Sequence, residues 1–172
     1  MKPLVAVITL ALGCALSRGA ESSATTTVTR DAEKCAAAVL VSDYDAIVRY
    51  THKRVVSALG GKDAMIAILK KSFADLSARG VEIETATIGI AEEPTKVGTW
   101  LLSRVPERIV MKISGGRLQT DSHLLGISED DGTSWLFVDL GPITKDQFAQ
   151  LFPELDGKVT IPEKSKPVFQ KD

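Results

Sequence analysis

The sequence predicts an α+β domain: N-terminal helices packed on a curved antiparallel sheet. Three observations carry that expectation. Between Asp31 and Gly80 the apolar residues recur at helical spacing, and from Val81 onward they recur at alternate positions. The second half carries turn signals, Gly115-Gly116 and Gly141-Pro142, of the kind that join antiparallel neighbours. In VEIETATIGIAEE the apolar positions change phase between Ile83 and Ile88, which predicts a bulge near Thr85 to Thr87 and therefore a bent strand.

The helices follow in order. Asp31 to Val41 places Ala32, Cys35, Ala36, Val39 and Leu40 on one face. Ser42 with Asp45 three residues on reads as the cap of a second helix through AIVRYTHKRVVSAL, which Gly60-Gly61 ends. A third helix starts near Lys62, carries Met65, Ile68, Leu69, Phe73 and Leu76 as its stripe, and stops at Gly80. The strands are VEIETATIGIAEE, TKVGTWLLSRV, ERIVMKIS after Pro106, RLQTDSHLLGIS and WLFVDL. A short helix, Lys145 to Leu151, and a tail punctuated by Pro153, Pro162 and Pro167 complete the 172 residues.

The chain opens MKPLVAVITLALGCALSRGA. A basic Lys2, an apolar run Leu4 to Leu12 too short to span a bilayer, and an A-x-S site at Ala15 to Ser17 predict a signal peptide over residues 1–20 and an exported protein, periplasmic or secreted. Gly13-Cys14 leaves a second reading open, a lipoprotein anchored at Cys14. Residues 21–30 read as a polar linker, 31–155 as the folded domain and 156–172 as an extended tail. Loss of the leader leaves Cys35 as the single cysteine, so no internal disulfide is expected, and its alanine-rich surroundings predict a packed, inert thiol. The net charge of −1 and the lack of a basic patch argue against nucleic acid, and no second apolar run predicts a membrane span.

The stretch SDYDAIVRYTHKRVVSALGGKDAMIAILKKSF resembles the opening of the nuclear transport factor 2-like superfamily, which includes the SnoaL-like polyketide cyclases and the ketosteroid isomerases. The order of elements matches over roughly residues 31 to 140. The resemblance implies a sheet curved around a cone-shaped cavity, and dimers that pair through their sheets. Ketosteroid isomerases would further require a Tyr donor and paired Asp groups inside the cone. A second, shorter resemblance lies in SEDDGTSW, which is similar to the Asp-box turn of sialidases and other β-propellers. Ser128, Asp130, Gly132 and Trp135 occupy the expected positions, with Ser134 in place of Thr. One copy in 172 residues cannot build a propeller, so these residues read as a structural hairpin turn.

Turn positions predict cross-strand neighbours. A two-residue turn at Gly115-Gly116 would set Ile109 opposite Ser122, Val110 opposite Asp121 and Arg108 opposite His123. A turn centred on Asp131 would set Leu125 opposite Phe137 and His123 opposite Asp139. One face then carries Ile109, Met111, Ile113, Leu118, Leu124, Leu136, Val138 and Leu140 against the helices, with Thr120 and Ser122 as its polar residues. The outer face carries Arg108, Lys112, Gln119, Asp121, His123 and Asp139, with Leu125, Ile127, Trp135 and Phe137 towards the turn. His123 between Asp139 and Arg108 is the most tempting acid-base group, but with no Ser or Cys nucleophile evident nearby a solvated charge ladder is the preferred reading, and His52 reads as part of a basic solvated face. No H-x-H, H-x-x-x-H or C-x-x-C spacing is present, so neither a metal nor another cofactor is expected.

Two functions remain open at this stage. One is an exported, non-catalytic domain that binds a small apolar ligand in the cone or a partner over the outer sheet. There, Arg108, Asp121, His123, Trp135, Phe137 and Asp139 are the candidate contacts, and Trp135 with Phe137 would be buried in a homodimer unless the helix Lys145 to Leu151 covers them within one chain. The other is a small cofactor-free isomerase, dehydratase or cyclase using an acid-base pair. The discriminator is whether an ionisable pair lies inside the cavity.

Overall fold

The computed structural model describes residues 22–172; the leader, its A-x-S site and Cys14 lie outside the described residues. The architecture is α+β, with N-terminal helices against a six-stranded antiparallel sheet that is not closed into a barrel. The helices are α1 (Ser23–Leu40), α2 (Tyr44–Tyr50), α3 (Lys53–Ala58), α4 (Lys62–Ala78) and α5 (Lys145–Leu151), the last followed by a 3-10 turn at Pro153–Leu155. The strands are β1 (Glu82–Ile88), β2 (Thr95–Val97), β3 (Trp100–Ile113), β4 (Gly116–Ser128), β5 (Leu136–Asp139) and β6 (Val168–Lys171). The order is β1-β3-β4-β5, with β2 added to β3 and β6 to β4. Among the described residues no helix is long and apolar enough to cross a membrane.

Helix α1 starts within the stretch expected as a linker. Ser22 caps it, accepting from the Thr25 N–H at 3.2 Å. The Ser/Thr content that reads as a linker is used against the sheet side. The Thr25 hydroxyl donates to Glu93 at 2.7 Å, the Thr27 hydroxyl donates to the Gly132 carbonyl at 2.6 Å, and Val28 is fully buried. Composition marks such a run as polar, but position along the helix decides what its hydroxyls meet.

The expected second helix is two. It breaks at Thr51-His52 because the chain there pairs with the sheet: Thr51 bridges Phe137, and the His52 N–H donates to the Phe137 carbonyl at 2.8 Å. The His52 side chain then caps α3, its Nδ1 accepting from the Arg54 N–H at 3.2 Å. Asp43, not Ser42, caps α2, and Ser42 instead takes a left-handed φ of 55° where α1 turns into α2.

The bend expected in the first strand is present, with the pairing of β1 on β3 shifting register between Ile83 and Thr85. Pro106 does not end its strand; β3 runs through it for 14 residues. The Pro106 carbonyl accepts from the Gly89 N–H on the β1 side at 2.8 Å, just beyond the end of β1. The missing amide proton of Pro106 points to that same side, so the β3–β4 ladder loses no bond. Part of the tail expected to be merely extended is the edge strand β6, paired with Gly116 to Gln119 of β4.

Both hairpin registers differ from expectation, with unlike consequences. The first turn lies at Ser114-Gly115, so Ile113 pairs with Gly116 and Arg108 with Asp121. That is a shift of two residues, which changes partners but keeps faces. The second hairpin slips by one: Leu125 pairs with Val138 and Leu124 with Asp139. Every residue of β5 therefore changes face. Trp135, Phe137 and Asp139 join Val105, Glu107, Ile109 and Leu124 on the inner face, while Leu136, Val138 and Leu140 join Leu125 and Ile127 outside.

The core follows from this arrangement. On the inner face Trp135 (1% exposed) and Phe137 (3%) pack with Val28, Ala32, Val105 and Leu124 under α1. Gly126 admits the close approach, since a Cβ there would lie 2.8 Å from the Val28 side chain. On the outer face Leu125, Ile127, Val138 and Leu140 are covered by Phe148 and Phe152 of the C-terminal helical segment and by Leu155. The exposed apolar patch expected from Leu125, Ile127, Trp135 and Phe137 does not exist: the slip divides it between two faces, and the chain's own helices bury both halves. A third cluster, Ala38, Ala46, Ile47, Val48 and Met65, ties α1, α2 and α4 together.

Candidate functional site

Helices and sheet do not meet along their whole length. Beyond the α1 contact, a cavity of about 750 Å³ opens between the inner sheet face and the helices. Cys35 and Val39 of α1, Ile47 of α2, Val55 of α3, and Met65, Leu69 and Phe73 of α4 form its helical wall, and α5 contributes Gln147, Gln150 and Leu151. The sheet supplies Ile83, Ile109, Leu124 and Phe137, together with two carboxylates, Glu107 and Asp139.

Glu107 lies on β3 directly opposite Ser122 of β4. It is 7% exposed, and burial together with the nearby Asp139 pushes its carboxyl up to about 7. No hydrogen bond to that carboxylate is found among the described residues, whereas most buried polar groups are paired. Asp139 keeps contact with water. Its Oδ1 accepts from the Gly141 N–H at 2.8 Å and from the Ser122 hydroxyl at 3.2 Å, while its crowded surroundings raise its pKa above the usual carboxylate value. The Cys35 thiol, half-buried beside these carboxylates, is pushed up to about 12 by burial first and by Glu107 and Asp139 second. That direction favours the protonated thiol at neutral pH.

The sequence-predicted contacts are thus only partly brought together. Arg108 and Asp121 form an exposed ion pair at 2.6 Å on the outer face. His123 is on that face too, opposite Pro106 rather than between Arg108 and Asp139, so the imagined Asp–His pair does not form. Trp135 and Phe137 are core residues, although one side of Phe137 reaches the cavity wall. His52, expected on a solvated face, is 1% exposed, wedged against Phe152 with ring centroids 4.9 Å apart. Burial holds its imidazole down at about 4, and its Nε2 lies 4.0 Å from Glu129 without a hydrogen bond. Its neutral ring serves as a helix cap and a packing surface.

The SEDDGTSW turn is held by hydrogen bonds among its own residues. Asp130 accepts from the Ser134 N–H (2.9 Å) and hydroxyl (2.6 Å), and its Oδ1 lies 2.8 Å from Ser128 Oγ. The Gly132 N–H donates to Ser128 Oγ at 2.9 Å. Asp131 and Gly132 take left-handed φ values of 53° and 87°. The Trp135 indole N–H is within reach of Thr27 Oγ1 (3.1 Å) and the Gly132 carbonyl (3.2 Å).

Glu107 was missed, yet a signal existed. Ile109, Met111 and Ile113 were placed inside by alternation, and the same parity places Glu107 inside. Taking Pro106 as a strand break made Glu107 look like a terminal, solvated residue. Among the described residues no group of three or more His, Cys, Asp or Glu is arranged to hold a metal ion. Compared with models of known protein families and with curated protein sequences, the chain matches none.

Proposed function

We propose that the protein is a non-catalytic binding domain whose ligand, small and mainly apolar, occupies the cavity between the helices and the inner sheet face. The observation that supports this reading is the wall itself. Its helical side is built from Val39, Ile47, Val55, Met65, Leu69 and Phe73, and its volume of about 750 Å³ lies within the usual range for small-molecule sites. Filling the cavity tests it. In Leu124→Trp and Ile109→Trp, an environment-sensitive apolar dye that binds the wild type should lose at least about tenfold in affinity, a loss of about 1.4 kcal/mol. Unchanged dye binding in both variants, with far-ultraviolet dichroism intact, would refute the assignment.

A second reading is favoured by one specific feature. Glu107 is a buried carboxyl poised near neutrality beside a second carboxylate, which is what general acid–base transfer requires. On that reading the protein is a cofactor-free isomerase, dehydratase or cyclase, with Glu107 moving a proton on an apolar substrate. Solvent-deuterium exchange into candidate ligands, present in the wild type and abolished in Glu107→Gln, would select it over simple binding. The leader supports export to the periplasm or exterior. Intact mass of the exported chain tests this: loss of residues through Ser17 is expected, retained Met1 would refute export, and a lipidated Cys14 would select the anchored form.

A further inference from the structure

We infer that the cavity's ligand carries a protonated amine on its apolar body, and that this ammonium sits between Glu107 and Asp139. The inference rests on the cavity being a ligand site, and it adds the charge of the occupant. It is carried by an imbalance in the lining. Two carboxylates face the cavity, and among the described residues no Lys, Arg or His lines it. Helix α1 offers the neutral Cys35, α2 offers Ile47, the break after it offers Thr51, α3 and α4 offer apolar side chains, and α5 offers the uncharged Gln147 and Gln150.

Several carboxylates elsewhere among the described residues are matched. Glu154 has Arg54 at 2.6 Å, Glu84 has Arg117 at 2.6 Å, and Asp121 has Arg108. Those pairs are exposed, where a partner matters least. Glu107 is 7% exposed, so a missing partner costs more there than at those surface pairs, and among the described residues it has no hydrogen-bond or ion-pair partner. Asp139 uses only Oδ1 for its two protein contacts, which leaves Oδ2 available to accept. An ammonium has three donors and one positive charge, enough to engage both carboxylates. A neutral alcohol would satisfy one acceptor and leave the charge imbalance. An anion would add a third negative group.

The same arrangement links binding to protons. Glu107, raised to about 7, holds a proton in the empty cavity below that pH. Placing a cation beside it favours the ionised form, so binding releases that proton and affinity rises as the pH passes upward through 7. Cys35 stays protonated across this range.

Three matched probes test the inference by calorimetry on the mature protein at pH 8: 2-naphthylmethylamine, 2-naphthylmethanol and 2-naphthoate. The amine should bind at least about tenfold more tightly than the alcohol, with the carboxylate weakest. Glu107→Gln and Asp139→Asn should each reduce the amine's advantage over the alcohol to less than about threefold. Amine affinity should fall between pH 8 and pH 6 in the wild type but not in Glu107→Gln. Equal affinity for amine and alcohol, or an amine preference that survives both substitutions, overturns the charge assignment and leaves the cavity reading standing. Binding of none of the three probes overturns both.

Discussion

The two ends of the inner sheet face follow opposite rules. At the SEDDGTSW end, Ser128, Asp130 and the Trp135 indole all find partners, and Trp135 is 1% exposed beneath α1. A few strand positions away, Glu107 is almost as buried and has no partner among the described residues, and the helices stand back from it around a cavity of about 750 Å³. The first region maximises contacts and satisfied hydrogen bonds, which specifies a unique local structure. The second gives up packing and leaves a charge uncompensated. Free energy not used for folding at such a place is available to a ligand, which is why a site is sought at Glu107 and Asp139 rather than at the more recognisable turn.

Substitutions at the two ends should separate these roles. Trp135→Ala should have the largest effect, destabilising by about 3–5 kcal/mol in urea denaturation, because it empties a filled core position and removes an anchor of the hairpin. A loss below about 1 kcal/mol would mean that the turn end is not the tightly packed one. Glu107→Gln should act in the opposite direction. The carboxyl is raised from 4.5 to about 7, so the folded state binds more protons than the unfolded chain between those values, and wild-type stability falls as pH rises through that window. Gln removes the penalty. The variant should gain up to about 3 kcal/mol over the wild type at pH 9, since one pKa unit is worth about 1.4 kcal/mol, and almost nothing at pH 4. His52 works the other way: held down at about 4 against 6.5, it contributes stability above 6.5 that is lost as pH falls towards 4. The two groups therefore mask one another in the wild type, and only the difference between Glu107→Gln and wild type isolates the cavity carboxylate.

Smaller effects sharpen the comparison further. Asp130→Ala removes the acceptor for the Ser134 N–H and hydroxyl and should cost about 1–2 kcal/mol at neutral pH. Those bonds hold the Asp130 carboxyl down at about 2, so its contribution is present above pH 4 and lost as pH falls towards 2. A thermal-melt pH series comparing the variant with the wild type should show their difference vanish at the acid end. His123→Ala should change stability by well under about 1 kcal/mol, because the ring lies on the outer face without an ion-pair partner among the described residues. A larger loss in chemical denaturation would mean that His123 is packed, and would overturn the face assignment of β4.

The sequence by itself determined the class of the fold, the bend in β1 and the bounds of α5. Each is a local property: hydrophobic period or cap chemistry. Tertiary structure decided what the turns do to the strands beyond them. WLFVDL is apolar on both of its faces, with Trp135 and Phe137 on one and Leu136 and Val138 on the other. Alternation then carries no information about which face is inner, and the residue count of the turn settles it. The left-handed φ values at Asp131 and Gly132 set that count, and with it they turned Asp139 inward toward Glu107. The break at His52, the helical start of α1 and the pairing of β6 likewise depend on partners remote in the chain. No local pattern contains those partners, because a backbone group finds its hydrogen bond through the packed fold and not through its sequence neighbours.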